Sequence, residues 1–257
     1  MRPGTSEALV RCAGVGKRYG PARPWVLRDV DAEVTAGQVV HLDGPNGSGK
    51  STLLRVLAGV SPPSRGERRA AGGCRVGFVP EAGKAPRSMP AGRYLRAHAG
   101  MVGAAAEVEP LAERLRCAAF LSEPMDSLSK GTLRKMMLIG ALGGAPPLLV
   151  LDEPFGGLDA EAQESLAGLL GERAAAGSAV VFSDHREGGA HLAADRRWLV
   201  VEGGLVDRPP RPVEQRRRRV AAEESDAELA RLLAAGHHVL SVRTLGSGEV
   251  EIEVGEE

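Results

Sequence analysis

Several absences bound what this chain can be. Cysteine is scarce: Cys12, Cys74 and Cys117 are three, an odd number, and far apart. That spacing suggests neither a disulfide framework nor a thiolate metal site, and it fits a reducing compartment. Net charge is absent too, with 33 basic against 33 acidic residues, so no general attraction to nucleic acid is expected. No apolar run is long enough to cross a bilayer. The best candidate, Met136 to Leu151, is interrupted by Gly143-Gly144 and Pro146-Pro147. The first residues lack the apolar core of a secretory leader. These absences predict a soluble protein that reaches a membrane only through a partner. What is present is a 257-residue chain with 43% apolar residues, enough for one principal domain with a small appendage.

The stretch around which the chain is organised is Gly44-Pro45-Asn46-Gly47-Ser48-Gly49-Lys50-Ser51-Thr52. An apolar run, Val39 to Leu42, precedes it, and the helix-forming Leu53 to Ala58 follows. The spacing fits a phosphate-binding loop in its strand–turn–helix context. Glycines at 44, 47 and 49 let successive amides turn inward on an anion, and the helix adds the positive end of its dipole. Lys50 supplies a cation for the β- and γ-phosphates, and the Ser51 hydroxyl can ligate Mg²⁺.

The remaining text predicts an α/β fold. Strands are expected at Ala8–Ala13, Trp25–Val34, Val39–Leu42, Cys74–Val79, Leu148–Leu151 and Ala179–Phe182, with a hairpin at Trp198–Val206. From about 83 to 142 strand-like alternation gives way to helical spacing at 93–102, 109–121 and 129–142, which reads as a helical insertion. Asp159 is placed to cap a helix that stops near Gly177. Strands alternating with helices imply a mostly parallel, three-layer core. The main domain is expected over 1–206, a Pro- and Arg-rich linker over 207–222, and a small α+β appendage over 223–257. In that appendage 226–235 is amphipathic, and Val239–Val242 can pair with Val250–Val254. The run Arg216-Arg217-Arg218-Arg219 reads as a solvated face or linker, with lipid headgroups as the alternative partner. His237-His238 has no ligand-type neighbours and is not read as a metal site.

Two further stretches carry chemistry. Leu148 to Leu151 ends in Asp152-Glu153-Pro154. An apolar strand closing on two acids can offer Asp152 to Mg²⁺ as a hard oxygen ligand and set Glu153 beside a γ-phosphate, where it can take a proton from attacking water. Leu128-Ser129-Lys130-Gly131-Thr132 opens a helix, and a serine with a glycine there forms an anion site.

Together these residues resemble the ATP-binding subunit of an ABC transporter, over roughly residues 8 to 206. Gly44–Thr52 resembles the Walker A motif, and Leu148–Glu153 the Walker B motif with its catalytic glutamate. Leu128–Thr132 is similar to the Leu-Ser-Gly-Gly-Gln signature, Gly157-Leu158-Asp159 to the D-loop, and His185 to the switch histidine at the γ-phosphate. Tyr19, one of two tyrosines, resembles the aromatic that stacks on adenine. Glu81 stands where the family usually has a glutamine that ligates Mg²⁺. A Pro-Glu pair there, with the Ser-Lys-Gly form of the signature, resembles exporters of the ABC-2 type.

The resemblance implies the P-loop ABC ATPase core with an antiparallel β-subdomain, and ATP and Mg²⁺ as ligands. It implies a head-to-tail pair of cassettes in which Ser129 and Gly131 of one subunit reach the triphosphate held by the other. It further implies a separate transmembrane permease, with the cassette in the cytoplasm on the inner face of the membrane, and export as the direction. Two other readings are a soluble ABC-type ATPase not coupled to transport and a non-hydrolysing regulatory cassette. Intact Lys50, Asp152, Glu153 and His185 argue against the last.

Overall fold

The structure, a computed structural model, describes residues 8–82, 88–101, 108–184, 192–208, 214–221, 238–244 and 249–256, with 224, 228 and 231 singly. The chain divides at Pro209/Pro210 into two compact units.

The larger unit is built on a six-stranded sheet in the order β5-β6-β7-β3-β8-β9. These strands are β3 (Val39–Asp43), β5 (Val76–Val79), β6 (Leu148–Asp152), β7 (Ala179–Ser183), β8 (Arg196–Val201) and β9 (Gly204–Arg208). The first five in the row are parallel, and β9 returns antiparallel through a turn at Glu202-Gly203, both with positive φ. β6 and β7 are buried at every position, which explains why all but their last residues, Asp152 and Ser183, are apolar.

Alternation along those strands divides the core. Leu149, Leu151, Val180 and Phe182 face one side, where they join the helical region and α5 (Ala160–Ala175). Leu148, Val150, Ala179 and Val181 face the other, where α1 (Lys50–Leu57) and an antiparallel sheet cover them. That second sheet has the order β2-β1-β4, formed by β1 (Ala8–Lys17), β2 (Leu27–Thr35) and β4 (Arg65–Ala70). The result is the three-layer α/β arrangement expected.

Three elements differ from the sequence reading. β4 was not expected, because Arg-Gly-Glu-Arg-Arg-Ala lies almost wholly exposed at a sheet edge and shows no apolar alternation. β1 runs past Ala13 to Lys17 through register shifts around Gly14 and Gly16. The helix expected over 109–121 is instead α3 (Val108–Arg114) and a 3₁₀ turn (Ala118–Phe120), divided where Arg116 takes φ 56°. The other helical elements, α2 (Ala91–Met101) and α4 (Lys130–Leu142), match the expected spacing.

The smaller unit holds a three-stranded antiparallel sheet, β10-β12-β11, from β10 (Glu214–Ala221), β11 (His238–Thr244) and β12 (Glu249–Glu256). The expected β11–β12 pairing is present. The linker expected over 207–222 is corrected: 214–221 is strand, paired along its length with β12. In that ladder Arg217 is in register with Glu253 and Arg219 with Glu251. The helix expected over 226–235 falls mostly outside the described residues.

Candidate functional site

Three parallel strands, β3, β6 and β7, end together, as Leu42 pairs with Ser183 and Asp152 pairs with Ser183. The phosphate loop leaves β3, and Glu153 follows β6, so both emerge at the carboxyl edge where open α/β sheets bind ligands.

The loop requires its glycines. Gly44 has φ 141°, and a Cβ there would lie 2.5 Å from the Val200 carbonyl oxygen and 2.9 Å from Ser48 Oγ. Gly49, the residue before α1, has φ 114° and would meet the Val26 carbonyl and Leu27 at 3.0 Å. The Lys50 ammonium donates to the carbonyls of Gly44 at 2.5 Å and Pro45 at 3.3 Å. A phosphate oxygen, being charged, makes the stronger hydrogen bond and can draw it outward.

A cleft of about 400 Å³ opens above the loop, lined by Val26, Pro45, Asn46, Gly47, Gly49, Lys50, Ser51, Thr52, Glu81 and Glu153. Nine of those ten were expected from the sequence; Val26 was not. Gly44 and Ser48 shape the loop without lining the cleft. Tyr19, 55% exposed, lies beside it with its hydroxyl 3.2 Å from Thr52 Oγ1 and the Lys17 ammonium 5.3 Å from its ring centre. A half-free ring of this kind can take a base on its face. His185 lies outside the described residues.

Asp152 sits just behind the cleft, 1% exposed. Its Oδ1 accepts from the Ser183 hydroxyl at 2.9 Å, and its Oδ2 is buried with no hydrogen-bond partner among the described residues. A buried, unpartnered carboxylate oxygen is costly unless a cation or water completes it. With the Ser51 hydroxyl and the Glu81 and Glu153 carboxylates on the cleft wall, the donor set is all hard oxygen and fits Mg²⁺.

Glu153 takes φ 52°, a left-handed conformation that costs a non-glycine residue about 1–3 kcal/mol. Its surroundings hold it there. The Ser183 hydroxyl oxygen accepts from the Glu153 amide at 3.1 Å, and Arg134 donates to the Glu153 carbonyl at 2.5 Å. Arg134 is 7% exposed in α4. Burial pushes its pKa down, opposed by the charges of Asp152, Glu153 and Glu81.

Sequence reading missed Arg134 and Ser183. Each had a faint signal: Arg134 shares a helical stripe with buried Leu138 and Ala141, and Ser183 is the polar end of an otherwise apolar strand.

Ser129, Gly131 and Asp159 are not on the cleft. Ser129 caps α4 by accepting from the Thr132 amide at 3.1 Å. Asp159 caps α5, accepting from the Ala162 amide at 2.9 Å, and pairs with Lys135 at 3.0 Å; those two hydrogen bonds hold its carboxyl below the usual range. A Cβ on Gly131 would lie 2.8 Å from the Gly157 carbonyl oxygen, so the signature turn and the D-loop are in direct contact.

Comparison with known proteins bears on this arrangement. The family described as ABC transporter matches residues 27–156. The zinc import ATP-binding protein ZnuC of Alkalilimnicola ehrlichii is 38% identical over 216 residues, 80% of this chain and 79% of that one. ZnuC of Yersinia pestis bv. Antiqua is 36% identical over 180 residues, 69% of this chain and 70% of that one. Among solved structures, the ATP-binding subunit of an ABC transporter superposes with a TM-score of 0.69 at 28% identity, covering 78% of this chain and 90% of that one. The dimeric post-hydrolysis state of an ATP-binding cassette with ADP and Pi superposes at 0.68, covering 79% and 99%; at 23% identity it speaks for the fold alone. The export expected from Glu81 and the Ser-Lys-Gly signature finds no support here, since these sequence relatives are named for import.

Proposed function

The chain belongs to the ABC transporter ATP-binding family and is an ATPase subunit of that class; from this premise we propose how its own residues divide the work. The observation that carries the reading is one cleft in which the phosphate loop, Ser51, Glu81 and Glu153 meet, while Ser129 and Gly131 stand apart from it. A single copy therefore holds half of a site.

In the proposed cycle, Tyr19 stacks on adenine and the loop amides with Lys50 hold the triphosphate. Ser51 and Asp152 would hold Mg²⁺, with Glu81 as a third oxygen donor beside them. The metal supplies charge neutralisation at the β- and γ-phosphates. Glu153 takes a proton from the water that attacks the γ-phosphorus as its bond to the bridging oxygen breaks and ADP leaves, and His185 is assigned to contact the γ-phosphate. Ser129 and Gly131 of a second copy close over that phosphate, so ATP favours the closed pair and hydrolysis releases it. Asp159, tied to the signature helix through Lys135, belongs to the same closing edge.

A separate membrane permease uses this opening and closing. Among the described residues no helix is long and apolar enough to cross a membrane. The relatives named for zinc import support uptake as the direction. The cargo is selected by the permease.

The test combines capture and chemistry. The tagged chain, expressed with its native membrane, should retain an integral membrane protein, and Glu153→Gln should abolish turnover while trapping an ATP-bound dimer. Undiminished hydrolysis by Glu153→Gln overturns the role of Glu153. A chain that hydrolyses ATP with no membrane partner supports the soluble ATPase instead.

A further inference from the structure

Arg134 joins two segments of the cleft that the chain connects only at a distance. Its Nη1 donates to the carbonyls of Pro80 at 2.5 Å and Glu81 at 3.1 Å. Its Nη2 donates to the carbonyls of Asp152 and Glu153, both at 2.5 Å. The two nitrogens of one planar fork thus serve the ends of two neighbouring strands, β5 and β6, whose last pair is Val79 with Leu151. Those ends carry Glu81 and Glu153, and both acids line the nucleotide cleft.

We infer that Arg134 is a positioning residue, whose single guanidinium fixes the spacing and orientation of the Glu81 and Glu153 carboxylates in the nucleotide cleft. Two observations make this more than core packing. Glu153 is held at φ 52°, a conformation that its neighbours must enforce, and Arg134 takes its carbonyl while Ser183 takes its amide. The other nitrogen of the same fork binds the carbonyl of Glu81, a second acid that lines the cleft. A buried cation among Glu81, Asp152 and Glu153 also offsets the repulsion of three acids gathered at one site. Arg134 touches main chain only in these bonds, so its effect on chemistry passes through the segments that carry Glu81, Asp152 and Glu153.

This rests on the ATPase reading, and the test separates the two. The full chain carrying Arg134→Lys is compared with wild type in steady-state ATP hydrolysis, nucleotide affinity and amide hydrogen exchange. A lysine ammonium cannot span both segments as the planar fork does. The expected result is a kcat lower by about tenfold or more with KM for ATP within about twofold, since misplacing a reacting group by an ångström can cost that much. Exchange should quicken together in peptides covering 78–82 and 152–156, while the peptide covering 44–52 is unchanged. A kcat within about twofold of wild type, or faster exchange in only one of the two segments, overturns the inference. Should Arg134→Lys not fold, Arg134→Gln is read by the same criteria, and loss of fold in both assigns Arg134 to the core and overturns it. An inactive wild type overturns the ATPase reading, and the exchange pattern then decides the role of Arg134.

Discussion

Removing one hydroxyl, with Ser183→Ala, should destabilise the protein far more than a buried serine ordinarily does. Ser183 is 0% exposed and its oxygen makes two bonds. It donates to Asp152 Oδ1 at 2.9 Å and accepts from the Glu153 amide at 3.1 Å. Alanine leaves the buried Asp152 carboxylate with neither oxygen hydrogen-bonded among the described residues, and takes from the part-buried Glu153 amide its Ser183 acceptor. A hydrogen bond to a charged group contributes about 1.5–3 kcal/mol, and an orphaned buried donor costs about 1–3 kcal/mol. The sum is about 2.5–6 kcal/mol, a large part of the 5–15 kcal/mol that roughly spans typical domain stability. At about 2–4 °C per kcal/mol for a domain of this size, the melting temperature should fall by about 5–24 °C. Calorimetry of the full chain, with and without Mg²⁺-ATP, checks this. The increment gained from Mg²⁺ should also shrink, because Asp152 loses the bond that orients it. Ser127→Ala, which removes an exposed hydroxyl-to-carbonyl bond, is the control and should cost under about 1 kcal/mol. A Ser183→Ala melt within about 2 °C of wild type, with the Mg²⁺ increment intact, would refute the reasoning.

Glu81→Ala should raise the Mg²⁺ concentration needed for half-maximal hydrolysis by roughly tenfold, about the loss of one supporting donor; an unchanged Mg²⁺ titration removes Glu81 from the metal site. His41, in the centre of the sheet, is 4% exposed and stacks on Phe182 with ring centres 5.0 Å apart. Burial and then Arg197 push its pKa below the ordinary 6.5, against weaker opposing charges on Asp43 and Asp184. The folded state therefore resists a proton that the unfolded chain accepts. Its contribution is complete above 6.5 and is lost as pH falls through 6.5 toward the lower folded value. Denaturant unfolding of wild type should weaken across that window more than that of His41→Leu, and parallel pH slopes would disprove it.

What could be read in advance followed from how local the cause was. The phosphate loop is legible because Gly44 and Gly49 are demanded by their own dihedrals and by atoms a few ångströms away, a requirement written into one short stretch. β6 and β7 are legible because burial on both faces leaves only apolar letters before their last residues. β4 was illegible for the opposite reason: an exposed edge strand is held by its ladder to β1, and its side chains record nothing of it. Arg134 was illegible because its partners are carbonyls, which every residue has, so no sequence pattern marks them.

The contacts within one subunit also constrain how two could meet. The Gly131 backbone lies against the Gly157 carbonyl, and Lys135 from the same helix pairs with Asp159. Ser129 and Asp159 each cap the helix that follows. The signature turn and the D-loop therefore form one continuous edge rather than two loops able to move apart. Arg134, on the same helix as Ser129, reaches back to the main chain of Glu81 and Glu153. One face of α4 thus begins at Ser129, which the proposed cycle offers to a second copy's nucleotide, and another binds the turn that carries this copy's own Glu153. A displacement of α4 on closure cannot leave the local cleft untouched, because four hydrogen bonds from one guanidinium connect them. In the proposed cycle the two half-sites of a pair would be coupled through α4, and a substitution that severs Arg134 is expected to loosen that coupling before it loosens the fold.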